Sequence, residues 1–269
     1  MTRLALDGVG FVYPDGTRAL DGVDLTIEAG GSVAIVGQNG SGKSTLVRHL
    51  NGLLRPTEGR VLHDGDDVVG LRTAALAARV GIVFQNPDRQ IFAGKVRNEV
   101  AFGPRILGRD AAEVEAATRD ALAAVGLSDA AEANPYDLGY SRRKLLAIAS
   151  VLAMATPVVV LDEPTTGQDA RGIARVQQVI ADLIGDGRTV IAISHDMRFV
   201  AESFARVIVM GGGRILLDGP PAEVFAEAAW PVLASTYLEP PYAARVGARL
   251  GLGATPTEAS LVAALSARG

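Results

Sequence analysis

Ser32 to Ser44 reads SVAIVGQNGSGKS: a short apolar run, a glycine-rich turn, and the first residues of a stretch with helical texture. Its turn, Gly37-Gln38-Asn39-Gly40-Ser41-Gly42-Lys43-Ser44, matches G-x-x-x-x-G-K-[ST] where that pattern has meaning, after a strand and at the opening of a helix. The glycines let backbone N–H groups turn inward around phosphate oxygens, and the helix N-terminus adds partial positive charge. Lys43 is expected to reach the β- and γ-phosphates, and Ser44 to offer a hydroxyl to Mg²⁺. The helical stretch runs from Lys43 through Thr45 to Leu50 and closes at Gly52, which makes a strand-loop-helix unit.

On the N-terminal side, Leu4 to Glu28 alternates in short strands with turn signals at Pro14-Asp15-Gly16 and Asp21-Gly22, the texture of a small antiparallel sheet. On the C-terminal side, the apolar runs Val158 to Leu161 and Thr189 to Ser194 flank an amphipathic stretch near Ile173 to Ile184. That is the βαβ rhythm of a covered parallel sheet. An Ala-rich block, about Asp110 to Met154, reads as helical. After Arg206 the sequence RVIVMGGGRILLDG predicts a hairpin, followed by a helix around Ala222 to Ala228 and a tail from Pro231 with one or two Ala/Leu-rich helices.

The composition narrows the function. The 269 residues carry 26 Lys plus Arg against 30 Asp plus Glu, a formal net charge of -4, so the overall electrostatic footprint of a nucleic-acid binder is missing. Absence of cysteine excludes a disulfide framework, a thiolate metal site and a cysteine nucleophile, and favours a reducing, intracellular setting. Met1 to Gly10 is polar and strand-like, without the apolar core of a signal peptide. Mean hydropathy is +0.24, yet the longest uncharged run, Leu145 to Leu161, is divided by Pro157 and falls short of a bilayer span. It reads instead as a buried helix followed by a buried strand.

Further candidates cluster at predicted strand ends, where an open α/β sheet presents its ligand crevice. Val158 to Leu161 runs into Asp162 and Glu163: Asp162 suits the Mg²⁺ shell, while Glu163 suits orientation or deprotonation of an attacking water. Their alternative is to cap the next helix or sit in solvent. His195 follows the third parallel strand, where a γ-phosphate contact is needed; a lone histidine is otherwise more often structural. Gln85 follows Gly81-Ile82-Val83-Phe84 and can join the metal or the lytic water, or be a plain polar loop residue. Tyr13, before the first turn, can stack on an adenine or serve as an ordinary edge-strand tyrosine.

In this order the residues resemble the ATP-binding subunits of ABC transporters over nearly the whole chain: Walker A GQNGSGKST, Gln85 as the Q-loop, Walker B VVVLDEPT, Thr166 to Asp169 as the D-loop, and His195 as the switch. The segments Phe84 to Gln90 and Val96 to Gly103, with Leu238-Glu239-Pro240-Pro241 in the tail, are similar to the energy-coupling-factor type, whose ATPases drive uptake of vitamins or of cobalt and nickel ions. The resemblance implies an α/β P-loop ATPase with a parallel core sheet, an N-terminal antiparallel β-subdomain and a helical subdomain at about 88–155. An ATPase domain at 1–228 and a helical, dimer-related C-terminal extension at 229–269 complete it. It also implies ATP and Mg²⁺ as cofactors, Gln85, Glu163 and His195 as catalytic residues, and Asp169 as the D-loop carboxylate. The implied partners are a second ATPase subunit, an integral membrane coupling subunit and a substrate-binding membrane subunit, with no nucleic acid, at the cytoplasmic face of the cell membrane. The segment Asp88 to Val96, with Ile91 and Phe92 as exposed apolar candidates, is implied to receive coupling helices; the alternative is that both pack under the Q-loop.

One element departs from the family. Where its signature is Leu-Ser-Gly-Gly-Gln, this chain has Leu138-Gly139-Tyr140-Ser141-Arg142, then Arg143 and Lys144. In the family that signature closes over the γ-phosphate held by the other subunit, and Tyr140 stands where a glycine permits close approach. Three cations at a helix start also oppose its dipole, so nearby anions are expected. Either the signature is degenerate, the chain pairs with a different ATPase and the site it closes is slow, or Ser141 and Arg142 substitute in a working homodimer. Three other classes share parts of this pattern. A soluble ABC-type ATPase of translation or DNA repair usually has fused halves or a long coiled-coil insertion. A P-loop kinase gives no reason for the order of Glu163, the D-loop and His195. The odd signature keeps a non-hydrolysing regulatory subunit in view.

Overall fold

The computed structural model describes residues 2–268; Met1 and Gly269, which the expected boundaries and the reading of the N-terminus take in, lie outside the described residues. Two sheets organise the chain. The first is antiparallel, in the order β2-β1-β4-β5, built from β1 (Leu4–Val12), β2 (Arg18–Ile27), β4 (Glu58–His63) and β5 (Asp66–Asp67). Its first hairpin turns where Gly16 donates to the Tyr13 carbonyl and Tyr13 to that of Thr17, each at 2.9 Å. The second sheet has the order β10-β9-β3-β8-β7-β6, from β3 (Ser32–Val36), β6 (Val80–Val83), β7 (Val158–Asp162), β8 (Thr189–Ile193), β9 (Arg206–Gly211) and β10 (Arg214–Gly219). All its pairs are parallel except the β9-β10 hairpin, which the sequence predicts.

The parallel strands are buried on both faces, and their alternate residues feed two cores. Val159 and Leu161 of β7 join the core shared with the helices α5 (Tyr140–Ala153), α6 (Ala170–Gly185) and α7 (Met197–Ser203), whereas Val158 and Val160 join the core shared with α1 (Lys43–Leu50), α2 (Thr73–Ala77) and the antiparallel sheet. Each fully buried Val, Leu or Ile contributes about 1.5–3 kcal/mol of transfer free energy, which makes this double-faced sheet the rigid platform of the molecule. The run Leu145 to Leu161 is the end of α5, a turn through Ala155 at φ 51, and β7. Among the described residues no helix is long and apolar enough to cross a membrane.

The helical region begins earlier than Asp110. α3 (Val96–Ile106) precedes α4 (Ala111–Val125), and Gly103-Pro104 lies inside α3 near its end, where Pro104 costs one main-chain bond. α4 is fixed locally: Asp110 and Glu113 form a capping box, and Gly126 closes it in the left-handed conformation.

The expected helix around Ala222 to Ala228 is shorter. α8 (Pro221–Val224) stops at Phe225, whose side chain is anchored in the core and whose carbonyl accepts from the Trp230 indole at 3.0 Å rather than from a continuing helix. A 3₁₀ turn at Glu227–Ala229 leads into α9 (Trp230–Ser235), and the tail ends in two helices, α10 (Tyr242–Arg249) and α11 (Glu258–Ser266).

Candidate nucleotide site

Because β3, β6, β7 and β8 run parallel, their C-terminal ends share one edge of the sheet. That edge carries the Gly37–Gly42 turn, Gln85, Asp162 with Glu163, and His195. Residues separated by more than a hundred positions thus meet because the fold is doubly wound.

The turn is shaped by close approach. Gly42, which precedes α1, has φ 102, and a Cβ there would come within 2.5 Å of the Ala19 carbonyl. Lys43 is buried and folds back over the loop, donating to the carbonyls of Gly37 at 2.7 Å and Gln38 at 2.8 Å and to Ser41 Oγ at 3.4 Å. Burial pulls its ammonium pKa below the ordinary lysine value, against the opposing pull of Glu163 and Asp162. No acidic residue occupies the first turn of α1, so the positive end of that helix is left for an anion.

Asp162 is buried at the end of β7 and accepts a hydrogen bond from Ser44 Oγ at 3.3 Å. Burial raises its pKa, the neighbouring Glu163 charge raises it further, and the Ser44 bond and the cations Arg48 and Lys144 work against both. Two hard oxygen donors side by side at a phosphate loop fit Mg²⁺, which binds through one or two protein oxygens plus substrate phosphates.

Glu163 adopts φ 52, a left-handed conformation that costs a non-glycine residue roughly 1–2 kcal/mol. The surroundings over-determine it. Its N–H donates to the Ile193 carbonyl at 2.9 Å, and its own carbonyl accepts from the Lys144 ammonium. Its carboxylate Oε2 lies 2.7 Å from His195 Nδ1 and accepts from Thr166 Oγ1 at 3.4 Å. The carboxylate is nearly buried, whereas the His195 ring is 66% exposed and free to face an added group.

Beside them lies a cavity of about 260 Å³ whose walls include Tyr13, Asn39, Gly40, Gly42 to Thr45, Gln85, Asp162 and Glu163; His195 is not in its wall and meets it through Glu163. Gly37, Gln38 and Ser41 form the turn beneath Lys43. The Tyr13 hydroxyl is 3.0 Å from Thr45 Oγ1, and its ring packs edge-on against Phe11, so it is tied to the start of α1. Gln85 is exposed and also borders a second cleft of about 550 Å³ with Arg48, Leu53, Phe84 and Arg89.

Leu138 to Arg142 and Asp169 do not line the cavity. Asp169 caps α6, accepting from Gly172 N–H at 2.8 Å. The anions expected near the start of α5 are present: Asp129 is 2.8 Å from Arg142, and Asp88 is 3.0 Å from Arg143. Among the described residues Lys144 has no such partner. It is fully buried, donates to the carbonyls of Glu163 and, at 3.2 Å, Thr166, and burial lowers its pKa to about 8. Of the two apolar candidates, Ile91 is buried at 3% exposure, which corrects the expectation of an exposed side chain, whereas Phe92 is 60% exposed. The buried carboxylate of Glu99 explains the split: it accepts from Phe92 N–H at 3.0 Å and Ala93 N–H at 2.7 Å and fixes the loop with Phe92 outward, edge-on to Phe102.

Sequence reasoning missed Thr17 and Arg18 in the cavity wall and Lys144 behind the carboxylates. Arg18 had only its place after the Asp15-Gly16 turn as a signal; Lys144 stands at the head of the apolar run Leu145 to Ala149, an available sign of a buried cation.

The family whose pattern matches residues 20–166 is described as ABC transporter. The energy-coupling factor transporter ATP-binding protein EcfA of Methanocaldococcus jannaschii is 44% identical over 219 residues, 81% of this chain and 78% of that protein. CbiO1 of Clostridium perfringens, part of the ABC transporter complex cbiONQ, is 34% identical with a TM-score of 0.77, over 92% of this chain and 98% of its own. A dimeric ATP-binding cassette in a post-hydrolysis state with ADP and Pi is 27% identical with a TM-score of 0.74, over 81% and 98% of the two chains.

Proposed function

Since the chain belongs to the ABC transporter family as an ATPase subunit of the energy-coupling-factor type, we propose that the sheet edge described above is its hydrolytic site and that the work of hydrolysis passes to a membrane importer of a vitamin or a transition-metal ion. The observation that carries this reading is the Glu163–His195 contact at 2.7 Å, set beside Lys43, Ser44 and Asp162 on one edge. Lys43 turns from the loop carbonyls to the β- and γ-phosphates, with the loop amides and the α1 dipole holding the remaining charge. Glu163 orients and deprotonates the attacking water, and exposed His195 contacts the γ-phosphate. Ser44, Asp162 and Gln85 would hold Mg²⁺, which when bound neutralises phosphate charge. Tyr13 borders the place where an adenine would lie.

Replacing Glu163 by Gln is expected to preserve nucleotide binding and lower turnover at least ~100-fold, the usual scale for a general base. Steady-state ATPase together with nucleotide titration checks this; unchanged hydrolysis removes Glu163 from the role.

The partners follow from two surfaces. Exposed Phe92, edge-on to exposed Phe102 in the stretch that follows Gln85 and Arg89, would receive coupling helices of an integral membrane subunit, placing the chain peripherally on the cytoplasmic face. The turn Leu138 to Arg142 would close over the nucleotide of a second ATPase subunit, with the extension 229–269 serving the dimer beside the ATPase domain 1–228.

A second observation favours a heterodimer. Ser141 and Arg142, the two residues able to substitute for the family's signature side chains, are both engaged within the chain, with Gln168 and Asp129. The composite site closed by this turn would therefore be slow. ATP-dependent dimers of the purified chain alone with normal turnover at both sites would refute that.

A further inference from the structure

The start of α5 is tied to the loop Glu163–Asp169 by three side chains. The Gln168 amide faces Ser141 with both of its ends: Oε1 accepts from the Ser141 hydroxyl at 2.6 Å, and Nε2 donates to the Ser141 carbonyl at 3.1 Å. Room for that amide exists because position 172, in the first turn of α6, is glycine; a Cβ there would overlap Gln168 Oε1. The Tyr140 ring lies against Gly167, where a Cβ would come within 2.7 Å of the ring edge, and Gly167 has φ 75. Behind both, buried Lys144 donates to the carbonyls of Glu163 and Thr166. Residues 163, 166, 167 and 168 are thus held by residues 140, 141 and 144.

We propose that Gln168 and Tyr140 form a latch that makes the Leu138–Arg142 turn and the loop carrying Glu163 and Asp169 move as one body. Gln168 is a positioning residue: it touches neither the cavity nor the carboxylate of Glu163 and acts through Ser141. The Ser141 hydroxyl has one proton, and it is committed to Gln168, so this hydroxyl is not free to donate outward from the turn. Tyr140, which stands where the family has a glycine, and Ser141 are the two that contact the D-loop glycine and glutamine.

The kinetic test rests on the hydrolytic role proposed above; the exchange test does not. In the full chain within its assembled complex, Gln168→Leu and Ser141→Ala are each expected to lower kcat about tenfold, the scale of coupling between contacting residues, with KM for ATP within about twofold. The double variant should be no slower than the slower single, and Gln168→Glu, which keeps the acceptor but loses the donor, should fall between wild type and Gln168→Leu. Hydrogen exchange on the nucleotide-free chain needs no turnover. Gln168→Leu should speed exchange in residues 138–142 and 163–169 together, with the thermal midpoint recorded as a control for folding. Multiplicative losses in the double variant, or exchange confined to 163–169, would overturn the latch. Wild-type protein without ATPase activity would sink the hydrolytic role while the exchange result still decides the latch. Should Gln168→Leu not fold, Ser141→Ala and Gln168→Glu carry both measurements.

Discussion

α1 and α5 begin alike and end up doing opposite things. Each follows a glycine with no side-chain cap, and neither has an acid in its first turn, so both present the positive end of a helix. At α1 the chain keeps that end open: Gly42 lets the loop curl, and Lys43 waits on carbonyls of its own turn. At α5 the chain closes its side chains inward. Arg142 and Arg143 are met by Asp129 and Asp88, Lys144 is buried under Glu163, and Tyr140 and Ser141 lie on the neighbouring loop. With both helix ends uncapped, the difference lies in the side chains: at α1 they face the cavity, and at α5 they are committed to partners within the chain.

The largest expected effect that tests this contrast is at α1. Lys43→Ala should weaken nucleotide binding roughly 10- to 100-fold, the worth of a charged hydrogen bond, in a nucleotide titration. Wild-type affinity would mean that the open end of α1 is not the phosphate site.

An intermediate effect comes with acid. His49 on α1 bonds through Nδ1 to the Thr45 carbonyl, and His63 bonds through Nε2 to the Leu50 carbonyl at the end of the same helix; the second nitrogen of each is buried without a partner. Burial lowers both pKa values, so the folded state favours neutral rings while the unfolded chain still binds protons near pH 6.5. Stability from these rings is present above that pH and is lost as pH falls through about 6.5 toward the folded values. Hydrogen exchange corrected for its intrinsic pH dependence should show α1 losing more protection than α5 between pH 7.5 and pH 5.5, and equal losses would erase the distinction.

The smallest effect is at α5. Gly139 has extended dihedrals and open space where a Cβ would be, so Gly139→Ser should add a cap worth a few tenths of a kcal/mol. A thermal midpoint raised by about 1 °C is expected. A marked drop would show that the start of α5 is packed more tightly than its geometry indicates.

Much of the site was legible because its signals are short-range. The Gly37–Ser44 turn, the apolar β7 ending in Asp162-Glu163, and the strand before His195 each announce themselves within a few residues, and a parallel sheet necessarily brings such strand ends together. What escaped was long-range or masked. α3 lies ahead of the Ala-rich block that reads as helical, the helix expected at 222–228 was cut short by the Phe225 anchor and the Trp230 indole, and Ile91 was drawn under by a loop that Glu99 holds. The engagement of Ser141 with Gln168 could not be read from either segment alone.

The order of residues by itself determined the strand-loop-helix unit, the two-faced sheet and the positions of Lys43, Ser44, Asp162, Glu163 and His195, because periodicity and turn chemistry act within a few residues. Only the tertiary structure decided which cations would be neutralised, which aromatic side chain would stay exposed, and that Tyr140 and Ser141 would serve a loop 27 residues away. Those outcomes depend on side chains meeting across the fold, where distance, burial and the available donors set the result and no local pattern records it.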